Sequence, residues 1–268
     1  MERRRFLAFA SAGACLLLEP GSASPAESSG STDINEVPLE FPRQASAEVK
    51  EVVALSHRSL EGVRRLVDAR PALAKAAWDW GFGDWETALG AASHTGQRDI
   101  ALYLIDKGAR PDIFTLAMLG HAGAVKALVE ASPGIEGSAG PHGITLLAHA
   151  RAGGDPARGV VEYLESLGGA DPRPKAVALS DAQRESVLGT YVHGAAEGER
   201  FSLEMRRQGL MLVPAGGVAR GLVHIGARVF HPVGAPDVRI AFTGGERVAT
   251  SVTIRDGALE IVAERPRP

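Results

Sequence analysis

The residues best suited to recognition chemistry fall in one short stretch, Trp78-Asp79-Trp80-Gly81-Phe82-Gly83-Asp84-Trp85-Glu86, which contains all three tryptophans of the chain. Tryptophan is enriched at binding hot spots because one ring buries a large apolar area and keeps an N–H to donate. Asp79, Asp84 and Glu86, interleaved with the rings, favour a cationic or hydrogen-bond-donating partner, and Gly81 and Gly83 permit a tight turn. Trp78, Trp80, Phe82 and Trp85 are therefore expected to supply apolar contact area, with Asp79, Asp84 and His142 as a polar rim. The same rings equally suit a plug that fills an irregular helical unit, and the two roles are compatible.

Catalysis finds no comparable constellation. Ser93 precedes His94, but adjacency in sequence does not put a hydroxyl and a base in hydrogen-bond reach, and no third group is assigned to orient the base. Glycine-rich phosphate loops, a dinucleotide fingerprint and zinc-site spacings are missing from the sequence. His94, His121, His142 and His149 invite a metal hypothesis, yet no His-x-x-x-His pair and no clustered thiolates occur, so no metal and no cofactor is expected. A chain of 268 residues with 45% hydrophobic residues, 23% charged residues and a net charge of -3 has no global attraction for nucleic acid.

The only cysteine, Cys15, rules out an intramolecular disulfide and lies in a stretch that reads as a targeting signal. Arg3, Arg4 and Arg5 form a basic start, an apolar run follows from Phe6 to Leu18, and Gly21-Ser22-Ala23 offers small residues for cleavage after Ala23. The run is short of the roughly 20 apolar residues that a membrane span needs. Arg3-Arg4-Arg5-Phe6-Leu7 resembles the twin-arginine export signal, with a general secretory signal as the other reading. Lipidation at Cys15, after Ala12-Gly13-Ala14, is the less favoured alternative, because the apolar run continues past it. A periplasmic or secreted product, with no membrane span in its mature form, is the expectation.

Residues 24–46, rich in Ser, Pro, Gly and Glu without apolar periodicity, read as a tether. From Val49 onward apolar residues recur at three- and four-residue spacing, the signature of short amphipathic helices. A unit then repeats. Thr87-Ala88-Leu89-Gly90-Ala91-Ala92 and Thr145-Leu146-Leu147-Ala148-His149-Ala150 open two copies, and Thr115-Leu116-Ala117-Met118 opens a degenerate one. Each precedes a second helix, and two units close on Lys107-Gly108-Ala109 and Gly169-Ala170-Asp171. Threonine caps a helix start, and glycine after the second helix supplies a left-handed stop. These openings and endings resemble the ankyrin repeat. The resemblance implies about four stacked units over residues 47–172, the first and third degenerate, with a concave face that binds a protein or peptide. The openings lie 28 and 30 residues apart, against about 33 in ankyrin repeats, so residues are missing. Too little remains between Ala109 and Thr115 for the usual projecting finger, Pro133 to Thr145 is long enough for one, and the finger before Thr87 is lengthened. Stacking would also hold equivalent histidines roughly 10 Å apart, far from the roughly 2 Å of a zinc–nitrogen bond.

After a linker and short helix over residues 173–186, the apolar period shortens to two: Phe201, Leu203 and Met205; Leu210, Leu212 and Val213; Leu222, Val223 and Ile225; Val238 and Ile240 with Phe242; Val248, Val252 and Ile254; Leu259, Ile261 and Val262. Six to eight short antiparallel strands over residues 187–268 describe a small barrel or curved sheet. Leu188-Gly189-Thr190-Tyr191, Gly209-Leu210-Met211-Leu212, Val229-Phe230-His231-Pro232 and Val252-Thr253-Ile254-Arg255-Asp256-Gly257 resemble the lipocalin-like C-terminal module of beta-lactamase-like proteins. No Ser-x-x-Lys motif accompanies them, so the resemblance implies an accessory role. The expected whole is a signal (residues 1–23), a tether, an all-α repeat solenoid and an antiparallel β domain. Its expected function is non-enzymatic binding of another envelope protein or peptide. The alternatives are a small-molecule carrier whose barrel mouth is bounded by Tyr191 and Phe230, and a hydrolase at the domain junction.

Overall fold

A computed structural model of the chain describes residues 43–172, 176–194, 199–207, 209–245 and 247–266. The signal and most of the tether expected from the sequence lie outside them. All described residues belong to one compact unit, so the helical and β parts share one frame.

Helices α1 (Ser46–Ser56) and α2 (Leu60–Ala69) form a first pair, followed by α3 (Ala88–His94) with α4 (Arg98–Asp106), α5 (Ile113–Met118) with α6 (Ala122–Ala131), and α7 (Leu146–Ala152) with α8 (Arg158–Leu167). The first helices contact one another in the order α1, α3, α5, α7, and α2 packs on α4 as α6 packs on α8. Small residues make this approach possible: Ala88, Ala91, Ala92, Ala117 and Ala150 are all fully buried. The expected threonine caps operate at two starts, where Thr87 Oγ1 accepts from the Gly90 amide at 2.8 Å and Thr145 Oγ1 from Ala148 at 3.3 Å. The third differs. Asp112 caps α5, and Thr115 sits one turn inside the helix, its hydroxyl donating back to Asp112. A carboxylate three residues earlier displaces the weaker hydroxyl cap.

Between the first two pairs, β1 (Ala77–Asp79) and β2 (Trp85–Thr87) form a hairpin with Trp78 opposite Glu86 and Asp79 opposite Trp85. Three consecutive left-handed residues, Gly81, Phe82 and Gly83, turn its tip. Strand alternation sorts the tryptophans: Trp78 and Trp80 face inward onto the helical core, whereas Trp85 points out and is 64% exposed. A second finger, before α7, is closed by an Ala139–Thr145 bridge and carries His142 at its turn.

Helix α9 (Asp181–Val187), opened by a Ser180–Gln183 capping box, leads into eight strands: β3 (Gly189–Val192), β4 (Arg200–Arg206), β5 (Gly209–Pro214), β6 (Arg220–Gly226), β7 (Val229–Pro232), β8 (Arg239–Thr243), β9 (Ser251–Asp256) and β10 (Leu259–Glu264). They close into an up-and-down antiparallel barrel, the upper end of the expected strand count. The closing seam between β3 and β10 is short, registering only Glu264 opposite Val192 among the described residues. Many of the period-two residues point inward as expected: Phe201, Leu203, Leu210, Leu212, Val238, Ile240, Phe242, Val252 and Ile254 form one buried cluster with Tyr191 and Phe230, and Leu222 and Ile261 pack against it. Tyr191 and Phe230, the expected walls of a barrel mouth, are fully buried in that packed core. Met205, Val248, Leu259 and Val262 depart from the pattern and stay about half exposed. Val187 belongs to the barrel cluster, which ties α9 to the barrel.

Candidate functional site

The hairpin between the first two helix pairs does not project freely. Phe82 at its tip packs against the barrel core, and Arg220, the first residue of β6, donates to the Asp84 carboxylate and, at 2.7 Å, to the Trp80 carbonyl. Beside this contact Gly143, next to His142, meets Gly234 of the barrel backbone to backbone. A β-carbon on Gly143 would lie 3.0 Å from the Gly234 amide nitrogen, and Gly143 holds a positive φ of 68°, so a side chain there is both crowded and strained.

Behind the hairpin, Glu86 is fully buried, aimed inward because its strand partner Trp78 faces the helical core. Its carboxylate accepts from Trp80 Nε1 at 2.6 Å. Three imidazoles complete its surroundings: His94 Nε2 at 2.8 Å, His142 Nε2 at 3.3 Å and His57 Nε2 at 3.4 Å. His94 is the last residue of α3, His57 follows the end of α1, and His142 descends from the second finger. The ring centroids lie 5.0 Å (His57 to His94), 5.3 Å (His94 to His142) and 6.3 Å (His57 to His142) apart.

The far nitrogens fix the tautomers. His57 Nδ1 lies 3.1 Å from the Val53 carbonyl and 3.2 Å from that of Ala54, so it carries a proton and donates. His142 Nδ1 donates to Asp84 Oδ2 at 2.7 Å, while its backbone amide donates to Asp84 Oδ1 at 2.8 Å. Both rings therefore present Nε2 to Glu86. A lone pair facing a carboxylate oxygen requires a positive centre between them, a proton or a metal ion. Burial works against charge here and the partners outweigh it. Burial would lower His142, but Asp84 and Glu86 raise it to about 9. His57 is likewise raised by Glu86 against its burial. Burial would raise Glu86, but hydrogen bonds from His142, His57 and His94 hold it far below the carboxylate range. Asp84 is held at about 2, its burial overcome by His142 and Arg220.

Such a donor set fits a divalent first-row ion. One donor atom from each of His57, Glu86, His94 and His142 lies within 4.8 Å of the other three. A tetrahedral ion with bonds of about 2.0–2.1 Å separates neighbouring donors by roughly 3.3 Å, and the three imidazole nitrogens stand 2.8, 3.3 and 3.4 Å from the Glu86 carboxylate. The side chains of His57 and His142 are 24% and 30% exposed, which leaves a solvent side to the cluster. A cavity of about 260 Å³ adjoins it, lined by Trp80, His142, Met211, Val218, Arg220 and Val233.

The expectation that successive histidines stay far apart is corrected by these distances. Backbones of neighbouring pairs can be widely spaced, but imidazoles that lean toward one buried carboxylate converge. Of the expected contact residues, Trp80, Asp84 and His142 come together. Asp79 caps the hairpin turn through the Gly81 amide at 2.8 Å, Phe82 serves the barrel, Trp78 packs on the helical core, and Trp85 stands apart on the surface. His121 is exposed and outside the cluster. Ser93 pairs not with its neighbour His94 but with His149 Nδ1 at 2.8 Å. Both are fully buried, and burial holds His149 neutral, its value lowered to about 3. His57 and Arg220 were not singled out from sequence. The available signal was a histidine recurring at the ends of first helices, as His57, His94 and His121. No protein-family model matches this chain, and no curated protein matches it.

Proposed function

We propose that this chain is a non-enzymatic binding protein for a divalent transition-metal ion, held by His57, His94, His142 and Glu86 where helical pairs and barrel meet. One observation carries the reading: three Nε2 atoms converge on one fully buried carboxylate, with the Nδ1 protons of His57 and His142 committed outward. Outward hydrogen bonds of this kind orient the imidazoles of metal sites. Four protein donors fill a tetrahedral shell, which suits holding or delivering an ion better than activating a bound water. The ankyrin resemblance supplies the scaffold in this reading, and the arginine-rich start an export route.

The test is a zinc titration of chelator-treated protein against a chromophoric competitor. The expected result is one equivalent bound at sub-micromolar affinity, weakened at least 100-fold by His94→Ala. A wild type that takes up no zinc at 10 µM, or a variant that binds equally, would overturn the reading. Protein or peptide recognition retains one specific support, the exposed Trp85 ring. Its test is partner capture by Trp85→Ala beside the wild type.

A further inference from the structure

We infer that the barrel builds the outer shell of this metal centre: Arg220, acting through Asp84 and Trp80, positions the ligands His142 and Glu86, so that ion binding and barrel docking are one coupled equilibrium. The inference rests on the metal reading above and concerns residues that touch no ion themselves.

The hydrogen-bond pattern is unusually complete for a simple interface contact. Asp84 Oδ1 accepts the His142 amide at 2.8 Å, and Oδ2 accepts both the His142 ring at 2.7 Å and the Arg220 guanidinium. Two of the three donors on that carboxylate thus come from one metal ligand, and the third comes from the barrel. Asp84 and Arg220 are 5% and 7% exposed, so water does not substitute for either. The second arm of Arg220 donates to the Trp80 carbonyl at 2.7 Å, and the Trp80 indole donates to Glu86 at 2.6 Å. One barrel side chain therefore reaches two ligands, each through a single intervening residue.

Backbone geometry points the same way. His142 holds a left-handed conformation, with φ of 59°, which a side-chain-bearing residue keeps only when its surroundings impose it. The Asp84 carboxylate grips it from one side, and the Gly143–Gly234 approach seats the barrel against the next residue on the other. If the barrel withdrew, Asp84 would lose its cation and the finger would lose its stop. By linkage, an ion that binds the assembled arrangement more tightly must also favour the docked barrel.

A plain interface bolt would use the same Arg220–Asp84 pair, so the experiment needs readouts that a bolt would leave alone. The full-length chain is compared with Arg220→Met, which keeps the apolar stem, Arg220→Lys, which restores a cation, and Gly234→Ala, which pushes on the finger without touching charge. Zinc affinity is measured by chelator competition, and the Co2+-loaded form by its visible ligand-field absorption. Outer-shell losses at metal sites run roughly 10–100-fold. A loss of that size is expected for Arg220→Met, with an altered Co2+ spectrum and partial recovery in Arg220→Lys, and a smaller loss for Gly234→Ala. A folded Arg220→Met with wild-type zinc affinity and an unchanged Co2+ spectrum would overturn the inference while leaving the metal site standing. Absence of zinc and Co2+ binding in the wild type would overturn both. A measurement independent of variants is hydrogen exchange across residues 220–226 of the wild type, which contain no ligand. Zinc should slow it, and identical exchange with and without zinc would also sink the coupling.

Discussion

Inside the barrel, Tyr191 and Phe230 each meet Phe242 edge to face, at centroid distances of 5.5 and 5.6 Å. The polar atom among them is fully used: Tyr191 donates its hydroxyl proton to the Val187 carbonyl at 3.0 Å and accepts from Arg265 at 2.7 Å. At the junction the space between three imidazoles and an indole holds a fully buried carboxylate, with a second carboxylate and a guanidinium alongside. Apolar burial stabilises a fold directly, at roughly 25 cal/mol per Å². Burying charges costs several kcal/mol per ion before their attraction returns anything, and a well-packed apolar substitute often does as well or better. The Tyr191–Phe230–Phe242 cluster is thus explained by folding alone, whereas the junction cluster is an expensive arrangement for stability and a sensible one for holding an ion.

This division can be broken or sharpened by experiment. The largest stability effect is expected for Phe230→Ala, about 3–5 kcal/mol in urea unfolding, from lost burial and the cavity left behind. The folded fraction should still bind one zinc, and a stoichiometry of zero would erase the distinction between the regions. Glu86→Gln keeps shape and removes charge; zinc binding should weaken more than 100-fold, or about 2.7 kcal/mol, while the metal-free fold loses only about 1–3 kcal/mol. A loss as large as that of Phe230→Ala would make the cluster a structural ion network. Acid should act on the junction through Asp84. Its folded value, about 2, lies below the ordinary 3.8, so its contribution is present above pH 4 and is lost as pH falls toward 2. The contribution is about 2 kcal/mol. Asp84→Asn should remove that part of the acid transition, seen as a flatter stability curve between pH 4 and 2. Smallest of all, Trp85→Ala should change stability by no more than about 0.5 kcal/mol and leave zinc affinity intact, because its ring stands outside both regions.

Legibility in the sequence followed the range of the interactions. Period-two spacing located the barrel strands because each pairs with its neighbour in the chain, and Thr87 and Thr145 marked helix starts because a cap acts over three residues. Thr115 misled, since Asp112 competes for the same amides within one turn. The aromatic stretch and His142 stand out in the sequence by residue type, and in this structure Trp80, Phe82 and Asp84 meet the chain's own barrel. His57 and Arg220 escaped because no local pattern encodes their meeting with the hairpin: Arg220 and Asp84 are 136 residues apart, and Asp84 and His142 are 58 apart. Such convergence is set by how stacked pairs and barrel pack, which a periodicity cannot register.

The short β3–β10 seam has a consequence for assembly order. Every other neighbour in the barrel is also a neighbour in sequence, so the sheet can zip up hairpin by hairpin with little loop entropy to overcome. Closure alone joins the first strand to the last, and there the ladder gives one registered pair among the described residues. Arg265 compensates just past the last strand: its amide donates to the Thr250 carbonyl, its Nε to Ala249, and a terminal nitrogen to the Tyr191 hydroxyl. The barrel is therefore latched by a residue just past its last strand, and the cylinder can shut only after all eight strands are in place.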